Sequence, residues 1–155
     1  MKRLEFAHGI WPALMADLYQ RGGGRRESGA FLLGQVHETS NAVHEWLPYD
    51  ELDHKSLNYA YVRLESSAFS RLWAICAARK LDVVADVHTH PKGPCQSASD
   101  RANPMISLAG HMALIVPRFA GGNVVPRDLS VNVYLGSGKW ASRFREDAAS
   151  LITLL

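Results

Sequence analysis

The sequence has few of the features that mark specialised classes of protein. Its two cysteines, Cys76 and Cys95, are too few for a disulfide framework. No stretch approaches the ~20 consecutive apolar residues that a membrane span needs, and the N-terminal stretch MKRLEFAHGIW lacks the apolar centre of a signal peptide. From these absences we expect a protein of a reducing compartment, the cytoplasm, with no membrane partner.

The chain also has little net charge. Seventeen basic and fifteen acidic residues leave a formal charge of +2, and the basic residues are scattered apart from RGGGRR at 21–26. That is too weak a basic footprint for a nucleic-acid-binding protein. The length of 155 residues and the apolar fraction of 47% are typical of one folded domain, which we place at residues 1–155.

Hydrophobic periodicity predicts alternating helices and strands. Helices are predicted from Trp11 to the glycines at 22–24, over 66–80, and in the C-terminal segment EDAASLITLL. Strands are predicted in SGAFLLGQVHE, AVHEWLPY, LDVVADVH and HMALIVP, followed by a hairpin of LSVNVYLG and KWASRFR. Residues 50–63 are polar and irregular, which indicates an exposed loop. Because hairpins exclude a purely parallel sheet, we predict an α/β domain with a mixed sheet flanked by helices.

The stretch DVHTHPKGPCQSASD, residues 86–100, concentrates side chains that bind metals. Strand alternation places Asp86, His88 and His90 on one face at the end of an apolar strand. The residues QSASD suit the start of a helix that returns the carboxylate of Asp100 to the histidines. Two histidines and a carboxylate are a usual catalytic zinc set with one position left to water, whereas a structural site has four protein ligands. We therefore predict one catalytic Zn²⁺.

Each of these residues also has an ordinary explanation when it is taken alone. A His-x-His pair at a strand end is more often a surface pair, and Asp100 is a suitable acid for the first turn of a helix. A hydrolase further needs a base that does not bind the metal. No free glutamate lies between His88 and Asp100, so the base has to come from elsewhere in the chain.

The joint pattern resembles the JAMM signature of the JAB/MPN+ zinc metalloproteases. HTHP followed by SASD matches His-x-His-Pro … Ser-x-x-Asp, and RRESGAFLLG is similar to the upstream Glu-x-Gly pattern of that family. The loop PKGPCQ is tighter than is usual there. The resemblance spans the chain from the first helix to HMALIVP. It implies a single MPN/JAB domain, which has a cytidine-deaminase-like α/β fold.

The resemblance implies a role for each matching residue. His88, His90 and Asp100 would ligate zinc. Glu27 would carry a proton from the attacking water to the leaving amine. Ser97 would donate a hydrogen bond to the oxyanion of the tetrahedral intermediate, with Ser99 as the fallback donor.

Three further residues near the signature have more than one interpretation. Asp86 could orient an imidazole, form a salt bridge, or occupy an exposed strand position. Cys95 could be a fourth, inhibitory ligand or a redox-sensitive thiol, although an exposed residue without a role is favoured. His111 could line the cleft, but a structural role is favoured.

The short chain is most similar to the compact bacterial JAB peptidases encoded beside E1-like and E2-like proteins in antiphage operons of the CBASS and Bil types. That similarity implies a zinc isopeptidase that cuts after the C-terminal glycine of a ubiquitin-like protein, in deconjugation or precursor maturation. Recognition is predicted at loops 50–63 and 118–128, and EDAASLITLL could dock an E1-like or E2-like partner or pack on its own domain. The alternatives are processing of a sulfur-carrier protein and a metal-free MPN scaffold, and the filled ligand positions disfavour the scaffold.

Overall fold

The computed structural model describes residues 1–57 and 64–155. Within these ranges the chain forms eight strands and five helices. The strands are β1 (Arg3–Phe6), β2 (Gly29–Val36), β3 (Ser40–Pro48), β4 (Asp82–Thr89), β5 (Met112–Val116), β6 (Ser130–Gly136), β7 (Lys139–Arg143) and β8 (Ile152–Leu154). The helices are α1 (Ile10–Gly22), α2 (Tyr49–Leu52), α3 (Ser66–Arg79), α4 (Ala98–Ala102) and α5 (Arg145–Ala149), with 3-10 turns at Arg118–Ala120 and Pro126–Asp128. No helix of the described part is long and apolar enough to cross a membrane.

The described strands form one mixed sheet in the order β7-β6-β5-β4-β2-β3-β1-β8. At its centre β2 runs antiparallel to both neighbours, β3 and β4, while β4 and β5 are parallel. The predicted fold class, an α/β domain with a mixed sheet, is confirmed. The sheet order also brings the start of β2 beside the end of β4, which is the edge where the metal-binding residues were predicted.

The two long helices cover opposite faces of the sheet. On one face Leu18 of α1 packs in the same buried cluster as Leu32 of β2. On the other face Leu72 of α3 packs with Phe31 of β2. Successive residues of a strand point to opposite faces, so the apolar run of β2 supplies both cores.

β4 contains a bulge that the alternating pattern of its sequence does not reveal. Between Val83 and Ala85 it has one residue more than the facing segment of β2, and Val84 is that extra residue. Val83 consequently packs against the α3 cluster, whereas Val84 and Ala85 both lie in the α1 cluster. Strict alternation along the strand would put Val83 on the face of Ala85 and Val84 on the opposite face, so it fails at both residues. Alternation resumes at Ala85, before the histidines.

The predicted C-terminal helix is wrong beyond its first turns. Helix α5 ends at Ala149, and the chain then forms β8, which pairs in parallel with β1 in the register Leu4↔Ile152. β1 itself was not predicted. Strands of three or four residues are too short to show a period, and the partners that bury β1 and β8 lie far away in sequence.

The prediction of an exposed loop at residues 50–63 is wrong in its described part. α2 occupies its start, and Leu52, Asp53 and Leu57 are buried. The carboxylate of Asp53 accepts hydrogen bonds at 3.0 Å from the backbone N–H groups of Lys55 and Glu65. Residues 58–63 lie outside the described residues, so the recognition role predicted for this segment stays a prediction.

Candidate active site

The pairing of β2 with β4 places Glu27 beside the histidines. The backbone N–H of Ser28 donates to the hydroxyl of Thr89 at 3.0 Å, and the N–H of Thr89 donates to the carbonyl of Ser28 at 2.9 Å. The Ser28 hydroxyl donates to the carbonyl of Leu18 at 2.7 Å, which ties this point to α1. Because Glu27 precedes Ser28 and His90 follows Thr89 in antiparallel chains, the two side chains lie at the same level of the sheet.

Gly29 faces His88 across the two strands, and its lack of a side chain makes room for Tyr49. A Cβ at Gly29 would collide with the Tyr49 ring. That ring is fully buried, and its hydroxyl has no hydrogen-bond partner among the described residues. Burial raises the pKa of Tyr49 well above its usual value, and the charges of Asp86 and Asp100 add to the effect. The glycine of the Glu-x-Gly pattern thus admits a buried aromatic residue behind the site.

The two histidines and Asp100 meet at distances that suit a shared metal ion. Nε2 of His88 lies 3.0 Å from Nε2 of His90. Oδ1 of Asp100 lies 3.3 Å from Nε2 of His88, and Oδ2 lies 3.1 Å from Nε2 of His90. Ligand atoms held tetrahedrally at 2.0–2.1 Å from zinc are about 3.3 Å apart. The donor set and its spacing therefore fit zinc.

Glu27 belongs to the same group of side chains. One carboxylate oxygen of Glu27 and one ring nitrogen each of His88 and His90 lie within 4.8 Å of one another, and these three residues form a cluster that could hold a metal ion. Both carboxylates therefore lie near the same two imidazoles, Glu27 in this cluster and Asp100 in direct contact with His88 and His90. A catalytic zinc needs three protein ligands and an open position, so one of the two carboxylates is left for another task.

Ser97 and Asp100 form a capping box at the start of α4. Ser97 is the N-cap residue, and its hydroxyl oxygen accepts a hydrogen bond from the Asp100 N–H at 3.0 Å. In return Oδ2 of Asp100 accepts from the Ser97 N–H at 2.8 Å, which leaves Oδ1 for a metal. The Ser-x-x-Asp spacing is that of a capping box. The other end of α4 is held by Trp140, whose indole N–H donates to the carbonyl of Arg101 at 3.0 Å.

Comparison with known families settles the family of the chain. Residues 14–129 match the family model described as prokaryotic homologs of the JAB domain. The chain belongs to this family. Membership of the JAB family and the mixed α/β fold predicted from the signature are therefore confirmed, whereas the closeness to peptidases of antiphage operons stays a prediction.

Two solved structures have the same fold as this JAB domain. A protein from Desulfitobacterium hafniense, solved in solution, superimposes with a TM-score of 0.67 at 16% identity, over 98% of this chain and 92% of that one. A protein from Salinibacter ruber gives a TM-score of 0.52 at 23% identity, over 95% of this chain and 92% of that one. At these identities the likeness concerns the fold alone.

The electrostatics of the site in this JAB domain favour a cation. Burial would lower the pKa of His88, but its hydrogen bond to Asp100 and the charges of Asp100, Asp86 and Glu27 raise that pKa overall. Burial opposes ionisation of Asp100, yet hydrogen bonds from His88 and His90 hold its pKa well below the usual range. Burial raises the pKa of Glu27, Asp100 adds to that rise, and the histidines counteract it. Three carboxylates thus surround two imidazoles, an arrangement that a divalent cation would stabilise.

Asp86 orients an imidazole, but that imidazole belongs to His111. Oδ2 of Asp86 lies 2.7 Å from Nε2 of His111, and the two residues are only 2% and 9% exposed. The interpretation of Asp86 as an exposed strand residue is therefore wrong. Asp86 also lines a cavity of about 70 Å³ together with Glu27, His88 and Ser99. The pairing of Asp86 with His111 depends on the parallel register of β4 and β5, for which the sequence gives no signal.

Cys95 lies apart from these groups. It is exposed, it is outside the cluster of Glu27, His88 and His90, and it lines a different groove from the one that holds Ser99. This placement agrees with its interpretation as an exposed residue of the ligand loop, the segment 91–97 between His90 and α4.

Proposed function

We propose that this JAB domain is a zinc-dependent peptidase that cleaves after the C-terminal glycine of a bacterial ubiquitin-like protein. It would release the modifier from a lysine side chain or mature its precursor, in the cytoplasm, with E1-like and E2-like proteins as partners in antiphage defence. One observation carries the proposal. Two imidazoles and the Asp100 carboxylate lie at the end of β4 with the spacing of zinc ligands, and the Glu27 carboxylate lies beside the same imidazoles.

We assign the ligand role to His88, His90 and Asp100 and the role of base to Glu27. Asp100 lies against both Nε2 atoms at 3.1–3.3 Å, close to the ligand spacing of zinc. A bound zinc ion would supply a Lewis acid that polarises the scissile carbonyl and activates water at neutral pH. Glu27 precedes the adjacent strand β2 by two residues, and its carboxylate has no hydrogen-bond partner among the described residues, which would leave it available for proton transfer.

In the proposed reaction two side chains, those of Glu27 and Ser97, act on the substrate. As the water oxygen bonds to the carbonyl carbon, Glu27 accepts the proton that the water loses. The Ser97 hydroxyl still has its proton to donate, because it only accepts a bond from the Asp100 N–H. It donates that proton in a hydrogen bond to the developing oxyanion. Glu27 finally gives its proton to the leaving amine as the C–N bond breaks.

The test is cleavage of a fusion in which a ubiquitin-like protein precedes a reporter through its terminal glycine. We expect cleavage after that glycine, its loss with a zinc chelator, and its recovery when zinc is restored. Glu27→Gln should lower kcat by about 10²–10⁴, the usual contribution of a general acid–base group. Glu38→Gln, at an exposed acid of the β2–β3 turn, is the matched control and should leave kcat unchanged. Full activity of Glu27→Gln would contradict the assignment of Glu27 as the base.

Two versions of the fusion separate the proposal from its rivals. A ubiquitin-like modifier from a conjugation operon and a sulfur-carrier protein would each be joined to the same reporter. Preferential cleavage of the first supports the proposal, whereas preferential cleavage of the second indicates sulfur metabolism. A purified protein that contains no metal and cuts neither fusion would be a scaffold.

A further inference from the structure

The ligand loop separates two concave surfaces. Gln96 lines the cavity that contains Glu27, while the residues from Lys92 to Cys95 line a groove of about 380 Å³. The opposite wall of this groove comes from the 3-10 turns and the start of α5. We call it the basic groove and define it by Lys92, Cys95, Arg118, Arg127, Phe144 and Arg145.

The basic groove concentrates positive charge. Four basic side chains and one acid, Asp128, line it, an excess of three that is larger than the net charge of +2 on the whole chain. The acidic side chains in contact with these arginines neutralise little of the excess positive charge. Asp128 lies 3.9 Å from Arg118, and Arg127 contacts Glu146, which is 77% exposed. Exposed pairs of this kind contribute about 0–1 kcal/mol, so these arginines can exchange partners at little cost.

The walls of the basic groove are fixed by hydrogen bonds to the ligand loop and to His90, which precedes it. The N–H of Arg118 donates to the carbonyl of Lys92 at 3.1 Å, and the N–H of Phe119 donates to the carbonyl of His90 at 2.9 Å. On the other side the Ser130 hydroxyl donates to a carbonyl of the same loop at 2.5 Å. A groove held in this way is formed before a ligand arrives, which lowers the ordering cost of binding.

Backbone strain is also concentrated around this groove. Arg118, Phe119 and Ala120 have φ values of 55°, 52° and 63°, and Arg145 has a φ of 50°. For residues with a side chain this left-handed conformation costs roughly 1–2 kcal/mol each. Strain of this kind persists where the surroundings enforce it and tends to cluster at binding sites.

We propose that the basic groove binds an acidic peptide segment of the protein whose scissile bond enters the neighbouring zinc site. Guanidinium groups match carboxylates in two-point contacts, and Phe144, 41% exposed, offers an apolar surface beside them. The small extent of the basic region favours a peptide over a nucleic acid, because the other basic residues are scattered along the sequence and the net charge is only +2. That the peptide belongs to a substrate rests on the proposed function, whereas the binding itself does not.

The first test is equilibrium binding, which needs no cleavage. The probe is a fluorescein-labelled decapeptide of alternating Glu and Gly, compared by anisotropy with its Gln counterpart. We expect the protein to bind the Glu peptide more tightly, with an affinity that falls as salt is added. Lys92→Glu/Arg145→Glu should weaken binding by at least about tenfold, while Arg3→Glu/Lys139→Glu, an equal change of charge elsewhere on the surface, should stay within about twofold of the parent protein.

The second test uses the unmodified protein. Cys95 lines the basic groove and is exposed, whereas Cys76 is 7% exposed and serves as an internal control. Bound Glu peptide should slow the alkylation of Cys95 by a maleimide, and the Gln peptide should not.

Several outcomes would overturn the proposal. They are equal binding of the two peptides, equal binding by both charge-reversal variants, an unchanged rate at Cys95, and preferential binding of a single-stranded oligonucleotide of matched charge in the groove. If the peptide binds as expected while no fusion is cleaved, the proposed function is wrong, but the proposal that the basic groove binds an acidic peptide is supported.

Discussion

In the proposed mechanism Ser97 would combine two tasks in a single residue. Its backbone N–H and its hydroxyl oxygen close the capping box with Asp100, and its O–H is still available to an oxyanion. Ser99 lies two residues further on and lines the cavity beside Glu27, and its carbonyl accepts a bond from the side chain of Asn103. In the proposed mechanism the two serines are therefore rival donors, because Ser97 belongs to the capping box and Ser99 lines the cavity.

We predict that Ser97→Ala and Ser99→Ala differ sharply in kcat. Ser97→Ala should lower kcat on a modifier fusion by roughly 10²–10³, the usual cost of a lost oxyanion donor. It should also cost about 1 kcal/mol of stability through the lost cap. Ser99→Ala should stay within about threefold of the parent kcat, since it loses neither contact. Steady-state kinetics with zinc content checked for each variant decide between them. The reverse order would make Ser99 the donor.

Part of the candidate site could be predicted from the types of its residues and their spacing in the sequence. His88, His90 and Asp100 could be proposed as metal ligands because histidine and aspartate side chains bind metals and lie close together in the sequence. Their roles, like that of Glu27, stay predictions. The pair of Asp86 and His111 could not be proposed, because it depends on how two parallel strands align across twenty-five residues of sequence. Tyr49 gave no signal either, because only the fold places it behind the site.

Among the secondary-structure elements, α2 and α3 are linked through hydrogen bonds to the buried side chain of Asp53. The carboxylate of Asp53, just after α2, accepts from the N–H groups of Lys55 and Glu65, and Glu65 is the N-cap residue of α3. These two backbone hydrogen bonds lower the pKa of Asp53. Its contribution to stability should therefore be fully present above about pH 4, the unfolded value, and should be lost as the pH falls through the lower folded value.

Asp53→Asn should destabilise the protein by about 1 kcal/mol at pH 7, because a charged acceptor is replaced by a neutral one. The difference from the parent protein should shrink when the pH is lowered to about 3, because below the unfolded pKa the ionised carboxylate of the parent contributes progressively less stability. Urea unfolding of the metal-free proteins at the two pH values measures this difference in the free energy of unfolding. Asp82→Asn, at an exposed acid of β4, should show no effect beyond about 0.5 kcal/mol. A difference that stays constant or grows in acid would contradict this explanation.

The length of each element decided how well the sequence predicted it. α1, α3, β2 and β4 have periodic apolar patterns over eight or more residues, and they appear where the pattern places them. The short strands β1 and β8 show no period and gain their burial from each other and from β3, far away in sequence. The bulge at Val84 likewise depends on the facing strand.

At the scale of the whole molecule, the sheet brings distant segments into one centre. The start of β2, the end of β4 and the first turn of α4 supply Glu27, the two histidines and Asp100, from segments about sixty and ten residues apart. The central claim is a division of labour between the two carboxylates. Asp100 should be a zinc ligand, and Glu27 should not.

Zinc content of purified variants tests this claim most directly. Losing one of three protein ligands weakens metal binding severely, whereas losing a base that does not touch the metal leaves binding intact. By elemental analysis after dialysis, we predict about one zinc per chain for the parent protein and for Glu27→Gln, and less than about a tenth of that for Asp100→Asn. A Glu27→Gln protein without zinc beside an Asp100→Asn protein that retains it would contradict the account.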